Sequence, residues 1–374
     1  MKIHPNLLLF ALLPQPLLAS ELISPDVSYT LDAWHNSGGG IKDGGTWLDL
    51  LEASLSLDGE TAGLHGFSGY LSAQSSNSNS FSEHYSGDLQ GVSNIDAGAA
   101  VRLYELWLEQ NWRQLSLRAG LYDLNSEFDT NDTGAVLLNS AFGIGSDFAQ
   151  SGSNGPSIFP TPGLAVRLGW QLSDQWLLRA ALLEGTPGDP EHPENTTVRM
   201  DDGEGTLSVA EVEAVPGRWR WLAGGWRYSS SSERLDGQGE GHNSGLYSSL
   251  EYGLDDVVGA SGRQLFVRYG WADEQLNLIK ATLNAGFRQR LQLASLPEGQ
   301  WALGLTHAQI SDDWQQQSGS DSSETTLELT WQQPLNRWLS LQPDVQRIIN
   351  PGADPALADT WAFGLRLVVT PLAQ

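Results

Sequence analysis

Leu265-Phe-Val-Arg-Tyr-Gly-Trp271 places Leu265, Val267, Tyr269 and Trp271 on one side of an extended chain and Phe266, Arg268 and Gly270 on the other. Successive side chains of a strand point to opposite faces, so this period of two reads as a β-strand with two unlike faces. The pattern recurs downstream. Leu327, Leu329 and Trp331 alternate with Glu328, Thr330 and Gln332; Trp361, Phe363, Leu365, Leu367 and Val369 alternate with Ala362, Gly364 and Arg366. It recurs upstream too, with Leu51, Ala53, Leu55 and Leu57 set against Glu52, Ser54, Ser56 and Asp58, and Leu115, Leu117, Ala119 and Leu121 against Ser116, Arg118 and Tyr122. Helical periodicity is scarce.

Fourteen segments read this way, near 47–58, 63–74, 100–112, 113–121, 163–172, 175–185, 217–229, 244–254, 263–272, 280–290, 300–310, 323–333, 336–347 and 359–369. Weaker stretches at 27–35 and 206–213 raise the expected total to sixteen. Each is near the ~9–11 residues that a tilted strand needs to cross a bilayer. Some connectors are tight: Asp58–Ala62, Asn111–Arg113, Ser173–Asp174 and Pro334–Arg337. Others are long and polar: Ser75–Asp96, Asp123–Pro162, Thr186–Gly205, Ser230–Asn243 and Asp312–Ser322. Short turns at one rim and long loops at the other suit an antiparallel up-and-down transmembrane β-barrel. Alternation alone does not say which face looks inward. Size does help, because about sixteen strands in one barrel enclose an aqueous channel rather than a packed core.

Composition narrows the class. The 374 residues include no cysteine, which excludes a disulfide framework, a thiolate zinc site and a cysteine nucleophile. A net charge of −25 repels nucleic-acid phosphates, so no nucleic-acid partner is expected. Fifteen tryptophans suit a boundary where one end of the ring is apolar and the other wet. Lys2 and His4, the apolar run Leu7–Leu13 and the small residues Ala19 and Ser20 read as a secretory signal over 1–20. That leaves 21–374 as a single barrel domain. No other segment approaches ~18 consecutive apolar residues, so membrane crossing would require a closed barrel, in which every backbone polar group has a partner.

Enzyme, metal and cofactor signatures are missing. There is no P-loop, no HExxH and no G-x-S-x-G. Asp129-x-Asn131-x-Thr133-Gly134 begins like a calcium loop, but the position of the expected bidentate Glu holds Ser140. The seven histidines lack metal-ligand spacing; His307, in a strand, is the one position suited to a base in a membrane enzyme.

Several blocks resemble the carbohydrate-selective porin (OprB) family. They are Glu105-Leu-Trp-Leu-Glu-Gln110, Leu117-Arg-Ala-Gly-Leu-Tyr-Asp-Leu-Asn-Ser-Glu-Phe128, Leu138-Asn-Ser-Ala-Phe-Gly143, Phe159-Pro-Thr-Pro162, Leu265–Trp271, Glu324-Thr-Thr-Leu-Glu-Leu-Thr-Trp331 and Trp338-Leu-Ser-Leu-Gln-Pro-Asp-Val345, followed by Asn350-Pro-Gly352. The resemblance implies a sixteen-stranded barrel in the outer membrane of a Gram-negative bacterium, with a sugar-selective channel. It also implies homotrimers, and a long connector after Tyr122 that folds into the barrel and narrows it. A porin for other solutes, an outer-membrane enzyme with a Ser/His pair, and a secreted adhesin are the rival readings.

A channel that favours sugars needs charged or amide groups to replace water at the hydroxyls, and aromatic rings for the C–H faces. Binding must stay weak enough to permit exit. Glu105, Trp107 and Glu109 share one strand face, and Arg118 lies on the next strand. They point into the lumen if Tyr104, Leu106 and Leu108 face lipid, where a charge would cost ~2–4 kcal/mol near the midplane. Asp123, Asn125 and Glu127 open the long connector and complete the expected channel-lining set. Arg167, Arg179, Arg268 and Arg366 are further candidates for lumen charges.

Overall fold

The computed structural model describes residues 22–371, apart from 78, 193, 199–203 and 294. The export signal expected at 1–20 lies outside the described residues. Sixteen strands account for about half of the chain. They are β1 (Ile23–Asn36), β2 (Gly44–Asp58), β3 (Phe67–Ser76), β4 (Ala100–Trp112), β5 (Leu115–Tyr122), β6 (Gly163–Ser173), β7 (Trp176–Glu184) and β8 (Thr206–Ala214). The second half comprises β9 (Trp219–Glu233), β10 (Glu240–Gly253), β11 (Arg263–Ala272), β12 (Ile279–Leu291), β13 (Gly299–Ile310), β14 (Ser323–Asn336), β15 (Leu339–Ile349) and β16 (Thr360–Val369). Each strand pairs with its sequence neighbours, and β1 pairs antiparallel with β16, from Tyr29 opposite Val369 to Asn36 opposite Ala362, which closes the barrel.

The barrel is inside-out relative to a soluble one. Leu329 on β14 is 47% exposed, whereas its neighbour Glu328 is 0% exposed. Leu327, Leu303, Leu168, Phe363 and Leu365 also face outward. Apolar side chains out and charged ones in is the arrangement that hydrocarbon solvent stabilises. Exposed Trp112, Trp170, Trp176, Trp219 and Trp338 gather at the short-turn rim, while Trp271 and Trp361 stand near the opposite rim. This is the double aromatic belt of a bilayer-spanning barrel.

The two weak stretches are full strands. β8 read weakly because its inward Leu207 and Val209 are large and apolar while its outward Ser208 and Ala210 are small, which erases the usual contrast. The connector expected over Ser230–Asn243 is largely strand: β9 and β10 continue as a hairpin and leave only 234–239 between them. Likewise β14 runs to Asn336, so the expected turn at Pro334–Arg337 is displaced.

The expectation that Tyr104 faces lipid is overturned. Ser72 pairs with Glu105 and Ala73 with Leu103, so Tyr104 is an extra residue in β4. A bulge of this kind re-aims one side chain. Tyr104 turns inward beside Glu105 and is 5% exposed, whereas Leu106 and Leu108 do face outward.

Two connectors at the long-loop rim, 77–99 and 123–162, do not stay outside. They turn into the lumen and pack on the wall. The second buries Leu124, Phe128 and Phe148 against Ala181, Leu183, Leu207, Trp226 and Tyr247 of β7–β10. The first buries Phe81, Val92 and Ile95 with Leu138 against Trp34, Leu48, Ile348 and Ala362.

Candidate functional site

A segment crossing a lumen brings backbone N–H groups that must find acceptors. Inward glutamates supply them. Glu211 on β8 accepts from Asp129 N–H at 2.9 Å, and Glu251 on β10 from Thr133 N–H at 2.7 Å. On β14, Glu328 accepts from Leu138 and Asn139 N–H at 2.5 and 3.0 Å, while Glu324 accepts from Leu89 and Gln90 N–H at 2.8 and 3.1 Å. The two segments also join each other, through Asn94 N–H to Leu138 carbonyl and Ser140 N–H to Gly91 carbonyl, both 2.8 Å.

Two of the predicted arginines belong to this fastening. Arg268 is buried between Asp129 and Asp147 of the second segment, with a 2.6 Å contact to Asp129. Arg366 forks onto Asp32 at 2.7 and 2.8 Å and reaches Ser93 of the first segment at 3.2 Å. The sequence that mimics a calcium loop is part of the same work. Asp129 holds Arg268, Asn131 accepts from Gly134 N–H at 2.9 Å, and Thr133 donates to Glu251 at 2.6 Å.

The remaining predicted residues meet on β4, β5, β6 and the start of the second segment. Arg118 contacts Glu109 at 2.7 Å and Glu127 at 3.6 Å; Arg167 contacts Glu109 and Glu127, each at 2.8 Å. Two guanidinium groups and two carboxylates thus alternate in a closed square. The Arg118 guanidinium also lies 3.8 Å from the Trp107 ring centroid, and Tyr70 stacks on the same ring at 5.5 Å. Trp107 therefore stands between residues of the two strands that flank β4. Its Nε1 donates to Glu105 at 3.2 Å, and Glu105 also accepts from Asp123 N–H at 3.1 Å. Asn125 donates to the Phe128 and Gly143 carbonyls, at 3.0 and 3.1 Å. Arg179 sits farther round the wall, bonded to Glu211 at 2.9 Å and to Glu213 at 2.7 Å.

Two tyrosines that sequence reading did not single out pin this patch. Tyr104, delivered by the bulge, donates to Asp123 at 2.5 Å, and Tyr122 donates to Glu127 at 2.5 Å. Arg220 was missed too; it binds Glu213 and Glu251, both at 2.6 Å. Alternation marks Arg220 as inward, between Trp219 and Trp221, and was the available signal.

The two carboxyls of the inward segment differ electrostatically. Burial pushes Asp123 up to about 6, against the opposing bond from Tyr104. Burial also opposes charge on Glu127, but Arg118 and Arg167 outweigh it and hold that carboxyl below its ordinary value. His307, the one candidate base, faces outward with Nδ1 at 2.7 Å from Thr325 Oγ1 on the next strand; its partner is not a serine.

A closed sixteen-stranded barrel, apolar outside, with charged inner walls and segments folded into the lumen, is a porin-class channel of the Gram-negative outer membrane. Residues 42–370 match the family described as "Carbohydrate-selective porin, OprB family", and the chain belongs to that family. A comparison with curated protein sequences finds no match. Among solved structures, the chain is similar to Pseudomonas putida OprB at high pH, with a TM-score of 0.80 and 15% identity over 93% of this chain and 94% of that one. It is similar at lower level to the outer membrane channel DcaP of Acinetobacter baumannii (TM-score 0.56, 8% identity, 93% and 96% covered). A Rhodopseudomonas blastica porin triple mutant gives TM-score 0.56 and 8% identity, with 93% and 100% covered. At these identities the likeness speaks for the fold.

Proposed function

We propose that the chain carries small neutral carbohydrates through its lumen by passive diffusion, with weak binding at the patch of Glu105, Trp107, Glu109, Arg118, Asp123, Asn125 and Glu127, joined by Arg167. The observation that carries this reading is the alternating square of Arg118, Glu109, Arg167 and Glu127. Its charges cancel, so it offers strong hydrogen-bonding groups to hydroxyls with little net field to draw ions. A channel for small acids would instead display arginines without partners. Here Arg118, Arg167, Arg179, Arg268 and Arg366 each have a carboxylate within 4 Å, and Arg288 is an exception, bonded to Gln264 and to the Asp132 carbonyl. In this reading 1–20 is an export signal, 21–374 is one barrel domain, and assembly is trimeric, as in the family resemblance. The test is liposome swelling in glucose against amino acids of equal size. Faster glucose uptake supports the reading. Equal rates reduce the protein to a general porin, and no swelling from folded barrel removes the transport reading.

A further inference from the structure

Trp107 was the aromatic residue expected to meet the C–H faces of a sugar, yet its ring already lies between Tyr70 and the Arg118 guanidinium. Another ring is better placed. The two inward segments enclose a cavity of about 520 Å3 between them, at the level where β5 ends. This falls within the range of small-molecule sites. Phe159 contributes one wall of it; the ring is half-buried and meets Tyr104 edge-on at 6.1 Å. Tyr104 in turn donates to Asp123, which lines the same cavity. Asn94 also lines it and is exposed, with its backbone N–H committed to Leu138 and no partner for its side-chain amide among the described residues. The Asn125 amide nitrogen is spent on two carbonyls, which leaves its Oδ1 as an acceptor at the rim of the cavity.

We propose that this cavity is a sugar-binding vestibule ahead of the charged square, in which a pyranose ring lies against Phe159 while its hydroxyls bond to Asn94, Asn125 and Asp123. The inference rests on the sugar-porin reading and adds to it a site on the inward segments. An apolar ring face beside amide and carboxylate groups matches a pyranose, which presents C–H groups on its faces and hydroxyls around its edge. A bare ion would find no charge of its own here apart from Asp123. Tyr104 acts on the sugar only through Asp123 and is a positioning residue.

The experiment uses the full chain in planar bilayers, with glucose titrated against the ion current to obtain the half-blocking concentration. Phe159→Leu raises that concentration about five-fold, because a ring contact is lost; Phe159→Tyr returns it to the wild-type value. Asn94→Ala raises it about three-fold, the worth of one hydrogen bond. If glucose blocks the wild type but Phe159→Leu and Asn94→Ala block at the same concentration as wild type, the vestibule is wrong and the sugar-porin reading stands. If the wild type shows neither block nor faster swelling in glucose than in amino acids, the sugar reading fails and the vestibule falls with it. Should Phe159→Leu not assemble, Asn94→Ala decides alone, since the Asn94 side-chain amide makes no hydrogen bond among the described residues.

Discussion

Arg118 and Arg268 each sit against two carboxylates, but Arg268 is 3% exposed and Arg118 is 15% exposed. The chemistry is the same and the work is different. Arg268 is sealed beneath the second inward segment, where neither its charge nor those of Asp129 and Asp147 can recover solvation if a partner is lost. Arg118 stands at the lumen with a second cation, Arg167, beside the same two carboxylates. Charge pairing inside a barrel is thus of two kinds: clamps that fix where the constriction lies, and a lining that a solute meets.

The largest expected effect tests the clamp. Arg268→Gln leaves two buried carboxylates without their cation and costs about 3–5 kcal/mol, read by urea or thermal unfolding of the purified barrel. Single-channel conductance rises as the segment loosens. A variant as stable as wild type would abolish the distinction drawn between the two arginines. Next comes Glu251→Gln, which weakens the bonds from Thr133 and Arg220 and costs about 1.5–3 kcal/mol by the same measurement. Arg118→Gln costs less, about 1–2 kcal/mol, because Arg167 still neutralises one carboxylate. Its main effect is on permeation: the square gains one net negative charge, and the cation-to-anion permeability ratio rises roughly two- to five-fold. The reversal potential across a salt gradient reads it; an unchanged potential would mean that Arg118 does not face the lumen.

Acidity sharpens the comparison further. Asp123 binds its proton up to about 6 in the folded chain, above the ordinary aspartate value, so the unfolded chain releases its proton first. Stability from this group is therefore highest at acid pH and falls as pH rises toward about 6. Lumen charge follows the opposite course. Cation preference increases from about pH 5 to about pH 7 as Asp123 ionises, and Asp123→Asn removes that step, while Glu127 stays charged throughout. The smallest effect belongs to the short-turn rim. Arg263 pairs with Asp255 in full solvent, and Arg263→Gln leaves the unfolding midpoint where it was.

Alternation made the barrel legible because a membrane strand writes its two environments into odd and even positions, as β14 does with Leu327, Leu329 and Trp331 against Glu328 and Thr330. It failed where the lumen is not wet. β8 carries apolar residues on its inner face because an inward segment is packed there. It was misread at Tyr104, where one inserted residue shifts the phase of the alternation, from Val101 outward before it to Leu106 and Leu108 outward after it, and leaves Tyr104 and Glu105 both turned inward. The candidate site was legible as residue types: Glu105, Glu109 and Arg118 could be placed on one face by counting in twos. Their partners were not. Arg167 lies 49 residues beyond Arg118, and the two share Glu109 and Glu127 only because β6 returns beside β5, Arg167 opposite Arg118.

By itself, then, the sequence determined the strands and gave each one an apolar and a polar face, because both depend on neighbours one or two positions away; the number of strands then set the polar face inward. Only the tertiary structure decided which arginines are clamps and which line the channel, which ring faces are already occupied, and where the two connectors lie inside the barrel. Those outcomes depend on burial and on contacts between residues far apart in the chain, such as Gln90 with Glu324 or Asp129 with Arg268, and burial sets the worth of a charge.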